Sequence, residues 1–268
     1  MVQVAGSVVV VTGGGNGIGR EVVLDLLRKG ARVVALDLSE PGLAETAALA
    51  RAGADRLTTR ALDVTDHAAV EALAADVVAA HGHVDAVVNV AGIIQRFVPV
   101  VELERREIEK VVGVNFWGVV NVSTAFLPHL VARPTAALVN VSSMGALVPF
   151  PGQSAYGASK AAVKLFTEGL QAESEGPGLA VTIVFPGAIG TEITKNSGVE
   201  TPGGGDAAAA ADRTTSPQEA ARRIVAAVEK GTPRVRIGKD AVLLDRLSRL
   251  VPSRSVRIIA RKMRSLTR

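Results

Sequence analysis

Cysteine is absent from the 268 residues of this chain, and tyrosine and tryptophan occur once each. The absence of cysteine excludes disulfides, thiol nucleophiles and thiolate metal sites, so we expect a reducing compartment, the cytoplasm. The four histidines form no set of metal ligands, and no metal is expected. If a phenol takes part in chemistry here, Tyr156 must supply it.

The chain also lacks a basic leader, and no run approaches the ~18 consecutive apolar residues of a membrane span. We therefore expect a soluble protein. The composition is 48% hydrophobic and 21% charged, with a mean hydropathy of +0.30. These values exclude disorder of the whole chain and permit one large α/β domain.

The excess of positive over negative charge is confined to the end of the chain. The net charge is +4, and from Lys239 onward nine Lys and Arg residues accompany two Asp residues. No basic stripe interleaved with aromatic residues accompanies this excess, so we expect no nucleic acid partner.

Apolar segments rich in β-branched residues alternate with alanine- and leucine-rich helical patterns. Several segments are apolar throughout, as expected for a parallel sheet that helices cover on both faces. The alternation predicts an α/β fold: a single-domain, doubly wound, Rossmann-like parallel sheet of about seven strands, with ligands at the carboxyl ends of the strands. The predicted strands are 7–14, 31–37, 57–64, 84–92, 136–143, 179–187 and 233–238.

We expect this domain to span residues 1–250. The low-complexity stretch "SGVETPGGGDAAAAAD" interrupts the pattern, and we predict a mobile substrate loop over 192–215. The basic segment 251–268 is predicted to be a helical tail. Such a helix either packs on its own core or a neighbouring subunit, or makes weak contact with an anionic membrane surface. The residues predicted to share its apolar side are Val256, Ile259, Met263 and Leu266.

The first predicted strand leads directly into "TGGGNGIG", and a helix is expected to begin near Ile18. Glycines permit a tight turn and close backbone approach, while a helix N-terminus offers free amides to a pyrophosphate. We therefore predict a dinucleotide site here, although the spacing is not G-x-G-x-x-G and a turn without function is the alternative. The predicted contacts are Gly13, Asn16, Gly17, Ile18 and Gly19.

Acidic residues end the second and third predicted strands. Asp37 lies about 20 residues beyond the glycines, where a carboxylate accepts hydrogen bonds from the adenosine ribose and repels a 2′-phosphate. Asn16 adds no positive charge, so NAD(H) is favoured over NADP(H). Asp63 and Val64 are predicted to meet the adenine; the alternatives are that Asp37 closes a strand and that Asp63 forms a turn or cap.

In "SAYGASK", Tyr156 and Lys160 are four residues apart. On a helix these two side chains share one face, so the ammonium of Lys160 lies near the phenol of Tyr156. The pair is either an ordinary surface pair or an acid/base device.

Taken in order, these motifs resemble the short-chain dehydrogenase/reductase family in its compact, single-domain form. The matching motifs are "GxxxGIG", "NVAG" at 89–92, Asn115 in "VNFWG", Ser143 thirteen residues before Tyr156, Lys160, and "PGAIGT" at 186–191. They cover residues 7 to about 191. Two departures are that the family's usual NNAG is NVAG here, and that Asn16 replaces the basic residue of NADP-preferring members.

The resemblance implies that Tyr156 is the general acid/base, that Lys160 lowers the pKa of the phenol and holds the nicotinamide ribose, and that Ser143 binds the substrate oxygen. It also implies that Asn115 holds a water molecule, which links Lys160 to solvent as a proton relay. Beyond the glycine turn and the acidic strand ends, it places these residues on the cofactor: Asn89, Ala91, Gly92, Tyr156, Lys160, Pro186, Gly187, Ile189 and Thr191.

The implied reaction is hydride transfer between NAD(H) and a secondary alcohol or ketone, in a homodimer or homotetramer. An NADPH-dependent reductase and a non-catalytic dinucleotide-binding regulator are the alternatives. The expected pocket walls are mostly apolar and favour a hydrophobic or alicyclic small-molecule substrate, although Arg96 binds a carboxylate or faces water. Those walls are 93–96, 144–150, Gln153 and the loop after Thr191.

Overall fold

The computed structural model describes residues 1–53, 55–174, 176, 178–200 and 214–262. Seven parallel strands form one sheet in the order β3-β2-β1-β4-β5-β6-β7. The strands are β1 (Val8–Thr12), β2 (Arg32–Asp37), β3 (Leu57–Ala61), β4 (Ala86–Asn89), β5 (Ala136–Val141), β6 (Leu179–Pro186) and β7 (Arg234–Ile237). The predicted Rossmann-like fold with helices on both faces is confirmed.

Helices connect the strands and cover both faces of the sheet. Those before β5 are α1 (Gly17–Arg28), α2 (Glu40–Ala50), α3 (His67–His81), α4 (Arg105–Val112) and α5 (Gly118–Val131), with a π-helical turn at Gly113–Trp117. Those after it are α6 (Ser154–Glu173), α7 (Ile193–Asn196), α8 (Pro217–Lys230), α9 (Lys239–Leu250) and α10 (Pro252–Lys262).

Strand β1 shows why its sequence is apolar throughout. Val9 and Val11 belong to a core cluster shared with α1 and α8, whereas Val8 and Val10 belong to a second cluster shared with α3 and α5. All four valines are fully buried, because successive side chains of a strand point to opposite faces and both faces are covered.

The strand order reverses beside β1, which pairs with β2 on one side and with β4 on the other. Helices that follow these strands leave on opposite faces, and a crevice opens at the carboxyl ends of β1 and β4. The predicted ligand motifs begin at these two ends.

The helical stretch Arg105–Val131 differs from the expectation that no segment is apolar enough to cross a membrane. By length and composition it passes that test, with a mean hydropathy of 1.4 over its best window. Part of it, 44% of that window, is buried inside the protein, and Val122, Phe126 and Leu130 pack into the second core cluster. Its apolar character thus has a core-packing role.

The predicted apolar stripe of the tail is partly wrong. In α10 the buried side chains are Ser255 and Ile259, while Val256 is 44% exposed, because the buried line runs through positions i and i+4 from Ser255. Arg254 and Arg257 are exposed. Met263 and Leu266, like residues 201–213 of the predicted substrate loop, lie outside the described residues.

Candidate active site

The glycine turn after β1 holds the backbone of the turn directly against the segment after β4. Gly13 has a φ of +71°, and a Cβ on it would lie 2.9 Å from the backbone nitrogen of Ala91. The Thr12 hydroxyl accepts hydrogen bonds from the backbone nitrogens of Val90 (3.0 Å) and Ala91 (3.1 Å). The two loops that border the crevice are therefore fixed to each other.

Helix α1 begins at Gly17, within one residue of the predicted start, and presents its first amides to the crevice. A cavity of about 470 Å³ lies beside this helix end. A Cβ on Gly17 would lie 3.5 Å from the Thr191 methyl group, so "PGAIGT" reaches the glycine turn. Free amides next to a cavity of this size fit a dinucleotide pyrophosphate. The cavity is lined by Gly15, Asn16, Gly17, Arg20, Glu21, Ser39, Pro41, Gly42, Glu45, Gly190, Thr191, Glu192, Asn196 and Pro217.

The Asp37 carboxylate lies at the rim of this turn. One oxygen accepts a hydrogen bond from the Gly15 backbone nitrogen (2.9 Å), and the other accepts one from the Ser39 nitrogen (3.0 Å). A carboxylate held in this way presents a fixed negative charge where the adenosine ribose of a dinucleotide is expected.

The Asp63 side chain stabilises a turn, which was the predicted alternative to contact with the adenine. One carboxylate oxygen accepts from the Thr65 backbone nitrogen (2.9 Å) and from the Thr65 hydroxyl (2.8 Å). Val64, beside it, is 8% exposed. Both residues follow β3, two strands from β1, and their contact with an adenine stays a prediction.

Arg20 is a cation of this cavity that the sequence analysis missed. Its guanidinium donates to the carbonyl oxygen of Gly15, to the Thr46 hydroxyl (3.1 Å) and to the Glu45 carboxylate (2.6 Å). Its side chain is 16% exposed. Arg20 lies in the first turn of α1, and no nearby sequence pattern indicates that its side chain folds back to the glycine turn.

Ser143, Tyr156 and Lys160 meet at the end of β5 and the start of α6. The Ser143 hydroxyl and the Tyr156 ring lie side by side, since a Cβ on Gly145 would lie 3.5 Å from Ser143 Oγ and 3.5 Å from Tyr156 Cε1. Burial raises the pKa of Tyr156, and the interaction with the Ser143 side chain opposes the increase. Lys160 has no part in this shift, and the expected lowering of the phenol pKa by its ammonium stays a prediction.

Lys160 is 3% exposed, and its ammonium donates a hydrogen bond to the carbonyl oxygen of Val141 (3.1 Å). Burial lowers its pKa to about 8. A Cβ on Gly92 would lie 3.0 Å from the Lys160 nitrogen and 3.2 Å from the Asn115 side-chain oxygen. Glycine at 92 therefore lets the loop after β4 lie against both polar side chains.

Asn115 lies fully buried in the π-helical turn. Its amide accepts from the Ile93 backbone nitrogen (2.8 Å) and donates to the Ile93 carbonyl oxygen (2.9 Å) and the Ser159 hydroxyl (3.0 Å). Single π turns inside α-helices are frequent at functional sites. The predicted asparagine is thus next to Lys160, where its visible role is to hold the loop after β4.

The predicted contact of Asn89 with the cofactor stays a prediction, and its side chain has partners in the core. Its side chain is 1% exposed, and its amide donates to Asn140 (2.9 Å) and to Ser123 (3.2 Å) inside the core. These bonds link β4 to β5 and α5. The Asn89 side chain therefore joins strands and helix, whereas Ala91 and Gly92 border the crevice through their backbone.

The "PGAIGT" segment is held by a residue that the sequence did not reveal. Asp240, in the first turn of α9, accepts from the Ala188 backbone nitrogen (2.7 Å), and a Cβ on Gly187 would overlap its carboxylate. Ile189 forms a bridge with Thr215. Pro186 ends β6, so the segment is fixed at both ends beside the glycine turn.

Two expected pocket residues have other partners. The Arg96 guanidinium pairs with the Glu107 carboxylate of this chain (2.9 Å) and is 47% exposed to water. Recognition of a substrate carboxylate by Arg96 stays a prediction. Gln95 is 1% exposed and belongs to the core rather than to a pocket surface. Residues 145–150 and Gln153 do line a cavity, of about 220 Å³.

The fold and this site define a Rossmann-type dinucleotide domain, and comparison with known proteins gives the family. The family model for short chain dehydrogenases matches residues 7–201. The oxidoreductase SadH of Mycobacterium tuberculosis is 41% identical over 95% of this chain and 94% of its own length. The 2-(R)-hydroxypropyl-CoM dehydrogenase of Xanthobacter autotrophicus is 36% identical over 70% of this chain and 76% of its own.

Solved structures agree with this assignment. A short-chain dehydrogenase/reductase from Burkholderia phymatum, crystallised in complex with NAD, has a TM-score of 0.83 at 25% identity and covers 96% of this chain, which covers 97% of that one. A short-chain dehydrogenase from Streptomyces avermitilis has a TM-score of 0.80 at 30% identity, with the same coverage of both chains. This chain belongs to the short-chain dehydrogenase/reductase family, and it is an oxidoreductase with a nicotinamide dinucleotide cofactor.

Proposed function

We propose that this protein transfers a hydride between NAD(H) and a secondary alcohol or ketone, with Tyr156 as the general acid/base. The observation that carries the proposal is that the Ser143 hydroxyl and the Tyr156 ring lie side by side: a Cβ on Gly145 would lie 3.5 Å from Ser143 Oγ and 3.5 Å from Tyr156 Cε1. The single phenol of the chain is thus beside a second hydroxyl on the crevice. Two hydroxyls at one point can hold a substrate oxygen between them.

The bound cofactor supplies or accepts the hydride. In the oxidation direction Tyr156 takes the hydroxyl proton of the substrate, while Ser143 donates a hydrogen bond to the same oxygen. Lys160, one helical turn away, is the next proton-bearing group and is hydrogen-bonded to Val141. We infer that it holds the nicotinamide ribose and, with a water at Asn115, passes the proton to solvent.

NAD(H) is proposed over NADP(H) because the Asp37 carboxylate is fixed at the ribose end of the groove by the Gly15 and Ser39 amides. Arg20 supports the alternative, since its guanidinium lies in the same cavity. It is already paired with Glu45 and bonded to the Gly15 carbonyl oxygen, and this leaves the carboxylate of Asp37 as the stronger influence on a 2′-phosphate.

A hydrophobic or alicyclic substrate is proposed from the apolar residues around the site. The names of relatives support the reaction type: one is a 2-(R)-hydroxypropyl-CoM dehydrogenase and another, from Thermotoga maritima, a 3-oxoacyl-[acyl-carrier-protein] reductase. The first name contains a secondary alcohol and the second a ketone. The substrate itself is found by screening secondary alcohols and ketones, from small polyols to steroid-like compounds, with NADH absorbance.

The Tyr156→Phe variant tests the proposal on any substrate so found. We expect kcat to fall about 10²- to 10⁴-fold, the usual contribution of a positioned acid/base, while the thermal shift given by the dinucleotide is retained. An unimpaired variant removes Tyr156 from the mechanism. Thermal shifts with NADH and NADPH side by side test the cofactor, and stabilisation by NADPH alone contradicts the assignment to NAD.

We also propose a cytoplasmic homodimer or homotetramer. Its support is that large apolar side chains are exposed on α5, on α6 and at the turn before α5, where a neighbouring subunit would cover them: Trp117 (55%), Val131 (63%) and Leu165 (70%). Light scattering on wild type and Leu165→Glu measures the subunit number. A monomeric wild type contradicts the proposal.

Weak contact of the basic tail with an anionic membrane stays a prediction. Its support is the exposure of Arg254, Arg257 and Arg261 on α10. Truncation after Val251 followed by flotation with anionic liposomes tests it, and equal behaviour of both forms contradicts it.

A further inference from the structure

Gln95 is among the largest fully buried side chains of the protein, with 1% of its surface exposed. Its side-chain oxygen accepts a hydrogen bond from the backbone nitrogen of Tyr156 (2.8 Å). Its side-chain nitrogen donates to the carbonyl oxygen of Gly152 (3.1 Å). One amide thus bridges the three residues 153–155, where the chain enters the helix that carries Tyr156.

The first amides of an α-helix have no partner within the helix and need an acceptor from elsewhere. Helix α6 follows Gln153, which makes no side-chain cap within the described part of the chain. Gln95 replaces that cap from a distant loop, 61 residues earlier in the sequence. The residue that receives this long-range cap is Tyr156 itself.

The loop that carries Gln95 is fixed on both sides. The Ile93 backbone is bonded to Asn115 in both directions, and the Ile94 nitrogen donates to the Ser197 hydroxyl (3.0 Å). On the other side, the Arg96 nitrogen donates to Glu107 (2.7 Å). Gln95 therefore stands on a rigid support rather than on a free loop.

The same loop contains Gly92, which lies against the Lys160 nitrogen. A bond from Gln95 to the Tyr156 backbone consequently sets the start of α6 relative to the segment that borders the crevice. Tyr156 and Lys160 are both on α6, so this hydrogen bond fixes the position of the phenol relative to the loop after β4.

We propose that Gln95 is a positioning residue for the Tyr156 phenol: it holds the first turn of α6 to the loop after β4, so that the hydroxyl stays at Ser143. This inference rests on the proposed role of Tyr156 as acid/base. Displacement of a catalytic group by about 1 Å can cost a factor of ~10² in rate, so a loosened first turn is measurable in kcat.

The test uses the full-length protein and three variants. Gln95→Met keeps the length of the side chain and removes both hydrogen bonds, while Gln95→Glu keeps an acceptor for the Tyr156 amide. Gln171→Met is the matched control, because Gln171 lies near the other end of α6 and donates to the carbonyl oxygens of Val181 (3.0 Å) and Pro233 (2.6 Å). It makes the same kind of bond about 22 Å from Tyr156 along the helix.

Because Tyr156 is the single tyrosine, ¹³C labelling of tyrosine at Cζ gives one NMR signal that reports on this phenol without substrate or cofactor. For Gln95→Met we expect this signal to shift or broaden, and kcat to fall about ten- to a hundredfold with the KM for NADH changed less than about twofold. Gln95→Glu is expected to retain more of kcat than Gln95→Met. Gln171→Met is expected to lower thermal stability with kcat and the tyrosine signal unchanged.

The proposal is overturned if Gln95→Met leaves the tyrosine signal and kcat at wild-type values, if both Gln95 variants lose kcat equally, or if Gln171→Met loses as much kcat as Gln95→Met. Should Gln95→Met not fold, Gln95→Glu decides: any loss of kcat relative to wild type must then come with a shifted or broadened tyrosine signal, and a loss of kcat with an unchanged tyrosine signal overturns the proposal. Failure of the proposed function gives a different result, namely normal turnover by Tyr156→Phe. The tyrosine signal of the Gln95 variants still shows in that case whether Gln95 holds the phenol in place.

Discussion

The ammonium of Lys160 donates a hydrogen bond to the carbonyl oxygen of Val141 over 3.1 Å, at a site from which water is nearly excluded. Burial disfavours a charged amine, and it lowers the pKa of Lys160 to about 8 from an ordinary 10.5. A buried cation with this pKa is costly for the fold, so its retention points to a use in the site.

Lys160→Met should therefore stabilise the protein while turnover is lost. Between pH 8 and 10.5 the unfolded chain binds more protons at this position than the folded one, so the wild-type penalty is full below pH 8 and disappears as the pH rises toward 10.5. At pH 7 the variant should gain up to about 3 kcal/mol, an upper bound set by that difference in pKa. Urea unfolding of both proteins at pH 7 and pH 10 measures it. A less stable variant at pH 7 contradicts the prediction.

Asp37→Ala should move cofactor preference toward NADPH. It removes the charge that repels a 2′-phosphate and the acceptor of two backbone amides, which costs about 1–3 kcal/mol of stability. Asp37→Asn is the control, since it keeps an acceptor for the Gly15 amide and changes the charge. Calorimetric Kd values for NADH and NADPH decide the matter: a ratio that stays at the wild-type value in both variants excludes Asp37 as its determinant.

Gly19→Ala should abolish dinucleotide binding and destabilise the fold by about 1–3 kcal/mol, because the new Cβ would overlap the carbonyl oxygen of Gly13 in the turn. Gly169→Ala is the matched control in α6. A Cβ there meets nothing within 4 Å, and alanine is favoured over glycine in helices by up to about 1 kcal/mol. Thermal unfolding with and without NADH compares the two. Equal effects of both changes contradict the steric explanation.

Asp245→Asn should weaken the fold at neutral pH and matter little in acid. Asp245 is 2% exposed, and burial by itself raises its pKa, but hydrogen bonds and charges of Arg249 and Arg234 outweigh this and lower the pKa below its ordinary 3.8. The stabilisation is complete above pH 3.8 and is lost as the pH falls through the lower folded value. We expect a loss of about 2 kcal/mol at pH 7. A difference between wild type and variant that persists far below pH 3.8 contradicts this assignment.

Strand positions and the order of the cofactor motifs could be predicted because each depends on a local pattern. The valine run of β1, the glycines before α1 and Asp37 at the end of β2 show their role within a few residues of sequence. Tyr156 and Lys160 are four residues apart, and a helix brings them to one face whatever surrounds them. Features of this kind can be predicted from the sequence and the backbone geometry of helices and strands alone.

Other residues of the site have partners that no local pattern indicates. Gln95 was expected at a pocket wall and lies in the core, bonded to a residue 61 positions away. The Asn89 side chain is bonded to Asn140 of the next strand, a partner that the sequence did not indicate. Arg20 and Asp240 carry no motif at all, and their positions follow from how α1 and α9 pack.

By itself, the sequence determined the parallel sheet, the glycine turn and the presence of a phenol, an amine and a hydroxyl in the order of a known family, since periodicity and spacing are properties of the chain. Only the tertiary structure decided how those groups are charged and held. Burial sets the pKa values of Tyr156 and Lys160, and burial depends on what every other element covers.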